Sequence, residues 1–136
     1  MNTDQLAAQL AIDEGCRLKP YRDSVGLLTV GIGRNLEGVG ISKDEALYLL
    51  KNDIDRVCDQ LDNLLPWWKQ MSERRMQALA NFVFNVGIGT ALTFKNSLAL
   101  LQSGQYGKAA DAMMDSKWAR QVGDRAKRVT DAIREG

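Results

Sequence analysis

The chain has 136 residues, of which 45% are apolar, and its 18 basic and 17 acidic residues leave a formal charge of +1. This composition excludes a disordered chain, and the length suits one compact domain with a real core. The balanced charge argues against binding to nucleic acid or anionic lipid through bulk charge. The chain contains no histidine, so acid–base chemistry must use carboxylates, lysine, tyrosine or a thiol.

The first helix is predicted over residues 3–14, with Asn2 or Thr3 as its N-cap and Gly15 as its stop. Its apolar stripe consists of Leu6, Ala7, Leu10 and Ala11. At about 100° per residue, Glu14 falls near the middle of this stripe. A carboxylate on a buried helix face is costly unless it is paired or functional, which makes Glu14 a candidate catalytic group. The alternative is that Glu14 lies beyond the last ordered turn and is solvated.

A small antiparallel sheet is predicted after this helix. Residues 17–21 have the pattern of an extended edge strand, residues 22–26 that of a turn, and residues 27–33 that of a second strand. One face of the second strand carries Thr29, Gly31 and Gly33. Strand glycines often mark a bulge or the close approach of a ligand or another backbone. We therefore predict an open face directed at a ligand, with a plain bulged hairpin as the alternative.

The rest of the chain is predicted to be helical. After a loop at residues 34–40, a capping box from Ser42 to Glu45 begins a helix that continues to about residue 63, long enough to join two lobes. A short helical turn begins at Pro66, and further helices are predicted at 72–85, 94–103, 106–114, 117–122 and 124–134. The predicted fold class is therefore α+β, mostly α.

The two cysteines, Cys16 and Cys58, are far apart and have no metal-ligand spacing. They are predicted to be reduced thiols, buried or half-buried. Residues 1–15 lack the basic region and the apolar run of a signal peptide or a membrane span. We therefore expect synthesis in the cytoplasm and no membrane insertion, and nothing indicates a metal or a cofactor.

Two carboxylates near the start of the chain have the residue types that glycoside hydrolysis requires. One carboxylic acid protonates the leaving oxygen, and a second group, usually a carboxylate, activates water or attacks the sugar. Glu14 and Asp23 fit these roles by type, and the turn between them is expected to fold Asp23 and Thr29 back towards the end of the first helix. Such a pair is weak evidence by itself, because most acidic pairs of this kind are structural.

The segment LAIDEGCRLKPYRDSVGLLTVGIG resembles the catalytic segment of phage-type lysozymes of the T-even phage family. Its order of Glu, eight residues, Asp, five residues and Thr is the catalytic pattern of that family. Later segments resemble the family in the same order: IGRNLEGVGISKDEALYLL, RRMQALANFVFNVG, FKNSLALLQSG and DRAKRV. The resemblance covers nearly the whole chain. It implies one lysozyme-like domain, 1–136, with a sheet lobe at about 15–55, an interlobe helix, and a helical lobe formed by 1–14 plus 60–136.

The resemblance implies a muramidase that cuts the β-1,4 bond between N-acetylmuramic acid and N-acetylglucosamine in peptidoglycan, with inversion. Glu14 would be the general acid, and Asp23 with the hydroxyl of Thr29 would position and activate the attacking water. The enzyme would serve host cell lysis by a phage or prophage. It would be a monomer made in the host cytoplasm and would reach the periplasm through a holin-like pore.

Further residues match family positions around the substrate. Arg125, in DRAKRV, matches an arginine that approaches the catalytic glutamate, where its charge would stabilise the carboxylate form. Phe84 and Ser97 match positions that line the sugar cleft, and Asn35 and Leu36 match sugar-binding positions only loosely.

The chain departs from the family pattern beside the proposed catalytic segment. Arg34 stands where the best-known member has histidine after GIG, so an ion pair there would be replaced or absent. The connection from GIG to the interlobe helix is much shorter, which predicts a trimmed sheet lobe. Ala112 stands where the family has an asparagine that touches sugar.

Three other functions fit parts of the sequence. A lytic transglycosylase of the same fold would form an anhydro sugar without water, but the presence of both Asp23 and Thr29 favours hydrolysis. A wall-binding module without catalysis is disfavoured by the same intact residues. A helical nucleic-acid-binding module would use a basic cluster that two aspartates interrupt, and no base-reading motif accompanies it. That cluster consists of Arg120, Arg125, Lys127, Arg128 and Arg134.

Overall fold

The computed structural model describes every residue from Met1 to Gly136. The fold is α+β and mostly helical, which confirms the predicted class. The helices span Thr3–Glu14 (α1), Lys43–Leu64 (α2), Glu73–Val86 (α3), Ile88–Leu92 (α4), Lys95–Gln102 (α5), Tyr106–Met114 (α6), Lys117–Val122 (α7) and Asp124–Glu135 (α8). The strands span Arg17–Arg22 (β1), Leu28–Gly31 (β2) and Arg34–Asn35 (β3), and a 3-10 helix spans Pro66–Gln70. None of these helices combines the length and the apolar character needed to cross a membrane.

The chain divides into two compact units, Met1–Tyr48 and Leu49–Gly136. Helix α2 begins in the first unit and continues into the second. The structural division groups residues 1–14 with the sheet, whereas the resemblance implies that they belong with the later helices. The lobe boundaries therefore stay a prediction, and each unit is described by itself.

The first unit contains the predicted antiparallel sheet, in the order β1-β2-β3. Thr29 lies in its central strand, paired with Tyr21 of β1 on one side and with Asn35 of β3 on the other. The register shifts between Arg17 and Tyr21 of β1. This irregular stretch contains Pro20, which has no N–H to donate to a ladder. The predicted antiparallel sheet is confirmed, and it contains an irregularity in β1; that its open face is directed at a ligand stays a prediction.

Strand β2 is shorter than predicted, because it ends at Gly31 rather than at Gly33. Gly31 and Gly33 both have φ +69°, in the left-handed region that glycine adopts without strain. The chain therefore reverses at once, and Arg34–Asn35 form β3 where a loop was predicted. This reversal places Gly33 in the turn between β2 and β3.

Helix α1 has the predicted bounds but lacks the predicted buried face. Asn2 caps its first turn, since its Oδ1 accepts a hydrogen bond from the N–H of Gln5 at 3.1 Å, and Gly15 ends it at φ +71°. No residue of the helix is buried, and Glu14 is exposed in its last turn. Glu14 is thus solvated, as the alternative held, but it lies inside the last ordered turn of the helix and not beyond it.

The start of α2 confirms the predicted capping box. The N–H of Ser42 donates to Oε1 of Glu45 at 2.9 Å, and the N–H of Glu45 donates to Oγ of Ser42 at 3.1 Å. These two bonds satisfy backbone donors that an α-helix leaves free at its N-terminus.

The hydrophobic core lies in the second unit, and α3 passes through it. Four residues of α3 are buried: Ala78, Leu79, Phe82 and Val83. The Phe82 ring packs edge-on against Phe94 at 4.9 Å and against Trp118 at 4.8 Å between centroids. Nε1 of Trp118 donates to Oδ1 of Asn85 at 2.8 Å, which satisfies its one polar atom. These buried residues and contacts make α3 a central helix of the core in the second unit.

The two cysteines are free. Cys16 is exposed, so the prediction of two buried or half-buried thiols is wrong for this residue, which follows the last turn of α1. Cys58 is half-buried in α2, where burial and the nearby aspartates 62, 55 and 59 raise the pKa of its thiol. A raised pKa keeps the thiol protonated and unreactive at neutral pH.

Two phenylalanines on α3 provide a direct test of the core. Replacement of Phe82, which is 1% exposed, by alanine should lower the free energy of unfolding by about 3–5 kcal/mol because it opens a cavity between two aromatic rings. Phe84→Ala is the matched control on the same helix and should cost clearly less, since Phe84 is 43% exposed. Chemical denaturation of both variants measures the difference, and equal losses would contradict the assignment of Phe82 to the core.

Candidate active site

Glu14 lies directly against the turn between β2 and β3. A Cβ placed on Gly33 would lie 2.9 Å from Oε2, 3.0 Å from Cδ and 3.1 Å from Cγ of Glu14. The Glu14 carboxylate therefore packs against the backbone of Gly33, which carries no side chain. Within residues 1–48 it accepts no hydrogen bond and forms no ion pair, and it remains exposed. A carboxyl group in this setting is available to a substrate that reaches the sheet.

Asp23 closes the turn between β1 and β2. Its Oδ1 accepts hydrogen bonds from the backbone N–H groups of Val25 and Leu27, each at 2.9 Å. Its own N–H donates to the carbonyl oxygen of Leu27 at 3.0 Å, and its carbonyl accepts from the N–H of Gly26 at 3.0 Å. Aspartate suits this position because its short side chain can bond backbone two residues on. Only Oδ1 accepts these hydrogen bonds, so within the first unit Oδ2 remains able to accept one from another partner.

Thr29 is buried, at 3% exposure, and no other residue of the first unit is buried. Its hydroxyl donates to the carbonyl oxygen of Leu27 at 2.8 Å. Because the hydroxyl proton is committed in this way, the oxygen presents its lone pairs as an acceptor to whatever lies beside it.

The three residues are arranged along β2. Asp23 is bonded to Leu27, just before the strand begins, and Glu14 rests on Gly33, just after it ends. Thr29 lies between them as the second residue of the strand. At ~3.3 Å per residue, the four residues of β2 extend roughly 13 Å. Two carboxylates with a hydroxyl between them can deliver a proton and orient a water.

An exposed glutamate supports the turn that carries Asp23. Oε1 of Glu37 accepts from Nη1 of Arg22 at 2.7 Å and from the N–H of Leu28 at 3.1 Å, and Arg22 also donates to the carbonyl of Gly26 at 3.1 Å. No local pattern of the sequence indicates a role for Glu37, because a single loop glutamate has neither a spacing nor a periodicity.

Arg34 forms an ion pair with Glu45 at 2.8 Å, and its Nη1 also donates to the carbonyl of Gly40 at 3.1 Å. The position after GIG thus keeps an ion pair, which resolves the choice left open by the sequence. Glu45 also accepts the N–H of Ser42, so one side chain caps α2 and holds the residue that follows Gly33. The hydrogen bond from Arg34, followed by those from Ser42, lowers the pKa of Glu45 to about 2.

Two loosely matched substrate positions follow in β3 and its loop. Oδ1 of Asn35 accepts from the N–H of Gly38 at 2.9 Å, so this oxygen has a structural use and only the amide nitrogen is left for a ligand. The N–H of Leu36 donates to the carbonyl of Leu28 at 2.9 Å, which extends the β2–β3 pairing by one residue.

The second unit contributes a separate cavity of about 380 Å³. Its lining is mostly apolar with a polar rim, and it consists of Leu50, Ile54, Val57, Gln77, Ala80, Asn81, Phe84 and Arg125. Nε of Arg125 donates to Oδ1 of Asn81 at 3.0 Å, which fixes the guanidinium at this rim. Phe84 offers part of its ring to the cavity, whereas Ser97 is only 5% exposed in α5 and offers little surface. The approach of Arg125 to Glu14 stays a prediction.

Comparison with known proteins decides the family. A family model described as phage lysozyme matches residues 11–133, which is nearly the whole chain. The chain belongs to the phage lysozyme family. As a member of this family it is a glycoside hydrolase that lyses peptidoglycan, and the resemblance noted from the catalytic segment is confirmed.

Individual relatives of the family agree with this assignment. A probable T4-type lysozyme of Dictyostelium discoideum is 30% identical, over 93% of this chain and 92% of its own length. The endolysin of Salmonella phage P22 is 31% identical, over 78% of this chain and 76% of its own. The pre-baseplate central spike protein Gp5 of Enterobacteria phage T4 is 31% identical over 96% of this chain, which spans only 28% of that protein.

The match to the Dictyostelium lysozyme also bears on length. It extends over 156 aligned positions, more than the 136 residues of this chain, so the alignment contains gaps on the side of this chain. Over the aligned region this chain is therefore shorter than the Dictyostelium relative. That the missing residues lie beside GIG stays a prediction.

The Glu45 pair makes the stability of this lysozyme depend on pH. Because the pKa of Glu45 is about 2 in the folded chain and near 4.5 when unpaired, its contribution is complete above about pH 4.5 and is lost as the pH falls towards 2. Glu45→Gln should therefore melt below wild type at pH 7, and the difference in melting temperature should shrink by pH 2. Added salt should also shrink it, since the pair is partly exposed. Thermal unfolding followed by circular dichroism tests this, and a pH-independent difference would contradict it.

Proposed function

We propose that this chain is a muramidase that cleaves the β-1,4 bond between N-acetylmuramic acid and N-acetylglucosamine with inversion of configuration. The observation that carries the proposal is the arrangement along β2, where Glu14 and Asp23 lie at opposite ends and Thr29 lies between them. Family membership supplies the substrate class, the catalytic pattern of the family suggests the roles, and this arrangement supports them.

Glu14 acts as the general acid in this proposal. Its exposed carboxyl rests on a backbone that carries no side chain, so a glycan strand can approach without displacing another group. Protonation of the glycosidic oxygen removes the negative charge that would otherwise develop on the leaving sugar.

Asp23 and Thr29 orient the attacking water. Oδ1 of Asp23 is committed to two backbone N–H groups, so Oδ2 accepts one proton of the water. The oxygen of Thr29, whose proton is donated to Leu27, accepts the other. A lone pair of the water oxygen then attacks the anomeric carbon from the face opposite to Glu14. Asp23 takes up one proton of the water as the bond to the glycosidic oxygen, which Glu14 protonates, breaks. Inverting enzymes leave about 6.5–9.5 Å between their carboxyl groups for this water, and the proposal requires such a separation between Glu14 and Asp23.

Sugar binding is assigned to four residues. The half-exposed ring of Phe84 offers an apolar face, and the free amide nitrogen of Asn35 offers a donor. Leu36 and Ser97 complete the proposed substrate-binding set. Arg125 is proposed to modulate the acid, by stabilising the ionised state of Glu14 after proton transfer.

The setting is proposed from the same family. The chain would be a monomeric lytic enzyme of a phage or prophage, made in the host cytoplasm. It would reach peptidoglycan in the periplasm with the help of a holin-like pore. The P22 relative, named an endolysin, supports this setting.

The role of Glu14 is tested by Glu14→Gln, which keeps the size of the side chain and removes the acid. The variant should lose activity by about 10²–10⁴-fold or more and keep the wild-type melting temperature. Clearing of permeabilised Gram-negative cells measures the activity. Asp13→Asn, an exposed neighbour on the same helix, is the matched control and should clear like wild type. A folded Glu14→Gln protein that clears normally would refute the assignment.

Asp23 has a structural and a chemical role, and two substitutions separate them. Asp23→Asn keeps an oxygen for Val25 and Leu27, so it should fold normally and still lose activity by about 10²–10⁴-fold. Asp23→Ala removes the turn bonds as well and should also lower the melting temperature. Peptidoglycan turnover and thermal unfolding of both variants distinguish the roles, and a fully active asparagine variant would exclude Asp23 as the base.

A further inference from the structure

Glu14 needs a fixed position to act as a general acid, yet its side chain has no polar partner in its own unit. The carboxylate is exposed, and residues 1–48 provide it with neither a hydrogen bond nor an ion pair. A flexible glutamate at a helix end has several rotamers of similar energy, so something else must restrict it.

The backbone of Gly33 is the surface that the side chain contacts. Three side-chain atoms of Glu14 lie within 3.1 Å of the position that a Cβ of residue 33 would occupy. Real Cβ atoms do not approach other heavy atoms at 2.9 Å, so any residue except glycine would exclude the carboxylate from this place. The contact involves the carboxyl end of a flexible side chain, which can swing away at small energetic expense.

The turn that carries Gly33 is itself held from both sides. Val30 pairs with Arg34 across the β2–β3 ladder, and Arg34 forms its ion pair with Glu45 at the start of α2. Gly33 therefore offers a fixed backbone surface, even though its neighbour Glu14 has no bond of its own to the turn.

We infer that Gly33 is a positioning residue for the general acid, because its lack of a side chain gives the Glu14 carboxylate its place beside β2. This inference rests on the proposed role of Glu14. It predicts that a methyl group at position 33 displaces the acid without disturbing the fold.

Gly31 provides a closely matched control. Its φ is also +69°, it is likewise half-buried, and nothing lies within 4 Å of a Cβ placed there. Alanine at either position meets the same backbone strain from the left-handed conformation. Only alanine at position 33 meets the Glu14 carboxylate, so the difference between the two variants isolates that contact.

Kinetics on soluble peptidoglycan fragments provide the first readout. Gly33→Ala and Gly31→Ala should melt at similar temperatures. Gly33→Ala should lose about 10²-fold in kcat with little change in KM, as expected for a displacement of about 1 Å, whereas Gly31→Ala, which carries the backbone strain alone, should lose clearly less kcat. In a Glu14→Gln background, Gly33→Ala should add no further loss of kcat, because its effect acts through the acid.

The outcomes separate this inference from the function on which it rests. Full activity of Glu14→Gln would overturn the proposed function and this inference together. An inactive Glu14→Gln with equal kcat in the Gly33→Ala and Gly31→Ala variants would overturn this inference alone.

A stability comparison covers the case in which Gly33→Ala does not fold. Glu14→Ala removes the contacting atoms Cγ, Cδ and Oε2, so the double variant Glu14→Ala/Gly33→Ala should regain the melting temperature of Glu14→Ala/Gly31→Ala. Failure of the double variant to fold while its Gly31 counterpart folds would show that Gly33 is needed for the turn and not for the carboxylate, and would overturn the inference.

Discussion

The reversal of the chain at Gly31–Gly33 is the constraint on which the site depends. Both glycines have φ +69°, so β2 ends after four residues and β3 returns beside it. This return makes β2 the central strand and surrounds Thr29 with Tyr21 and Asn35. It also presents the bare backbone of Gly33 to Glu14. A residue with a Cβ would strain the backbone of the turn at either glycine. At position 33 it would also collide with the Glu14 carboxylate.

The site is held together by hydrogen bonds and partly exposed ion pairs more than by apolar burial. In the first unit only Thr29 is buried, while Asp23, Glu37 and Glu45 each accept two or more bonds that define the turns around it. The second unit contains the hydrophobic core, centred on α3 and the aromatic contacts of Phe82. Acid and salt should therefore lower the stability of the turns around Thr29 before they lower that of the core, since screening weakens exposed charge pairs.

Periodicity and caps predicted most of the helices correctly, because a repeat near 3.6 residues and a capping box are strong local signals. Strand β3 was missed, since two polar residues show no alternation. No helix was predicted between residues 85 and 94, because glycine favours a break in a helix, whereas Gly89 lies inside helix α4. The stripe on α1 predicted burial that the structure does not show, because a helical stripe indicates only which side could be covered.

The candidate site was predictable in its residues and less so in its contacts. The spacing of Glu14, Asp23 and Thr29 gave the roles only through the family pattern, since two carboxylates and a hydroxyl are common in any sequence. The glycines after Thr29 were predicted to mark a bulge or the close approach of a ligand or a backbone, and the structure shows a close approach only at Gly33, by the Glu14 side chain. Glu37 and the partner of Arg34 depend on how the loops fold, which no local pattern of the sequence specifies.

The central claim is that water attacks from the side of Asp23 while Glu14 protonates the departing sugar. The anomeric configuration of the first product tests this most directly, by proton NMR of a soluble peptidoglycan fragment recorded before mutarotation. Single displacement at a β-1,4 bond predicts that the new reducing end appears first as the α-anomer. A β-anomer as the first product, or an anhydro sugar in its place, would contradict the account.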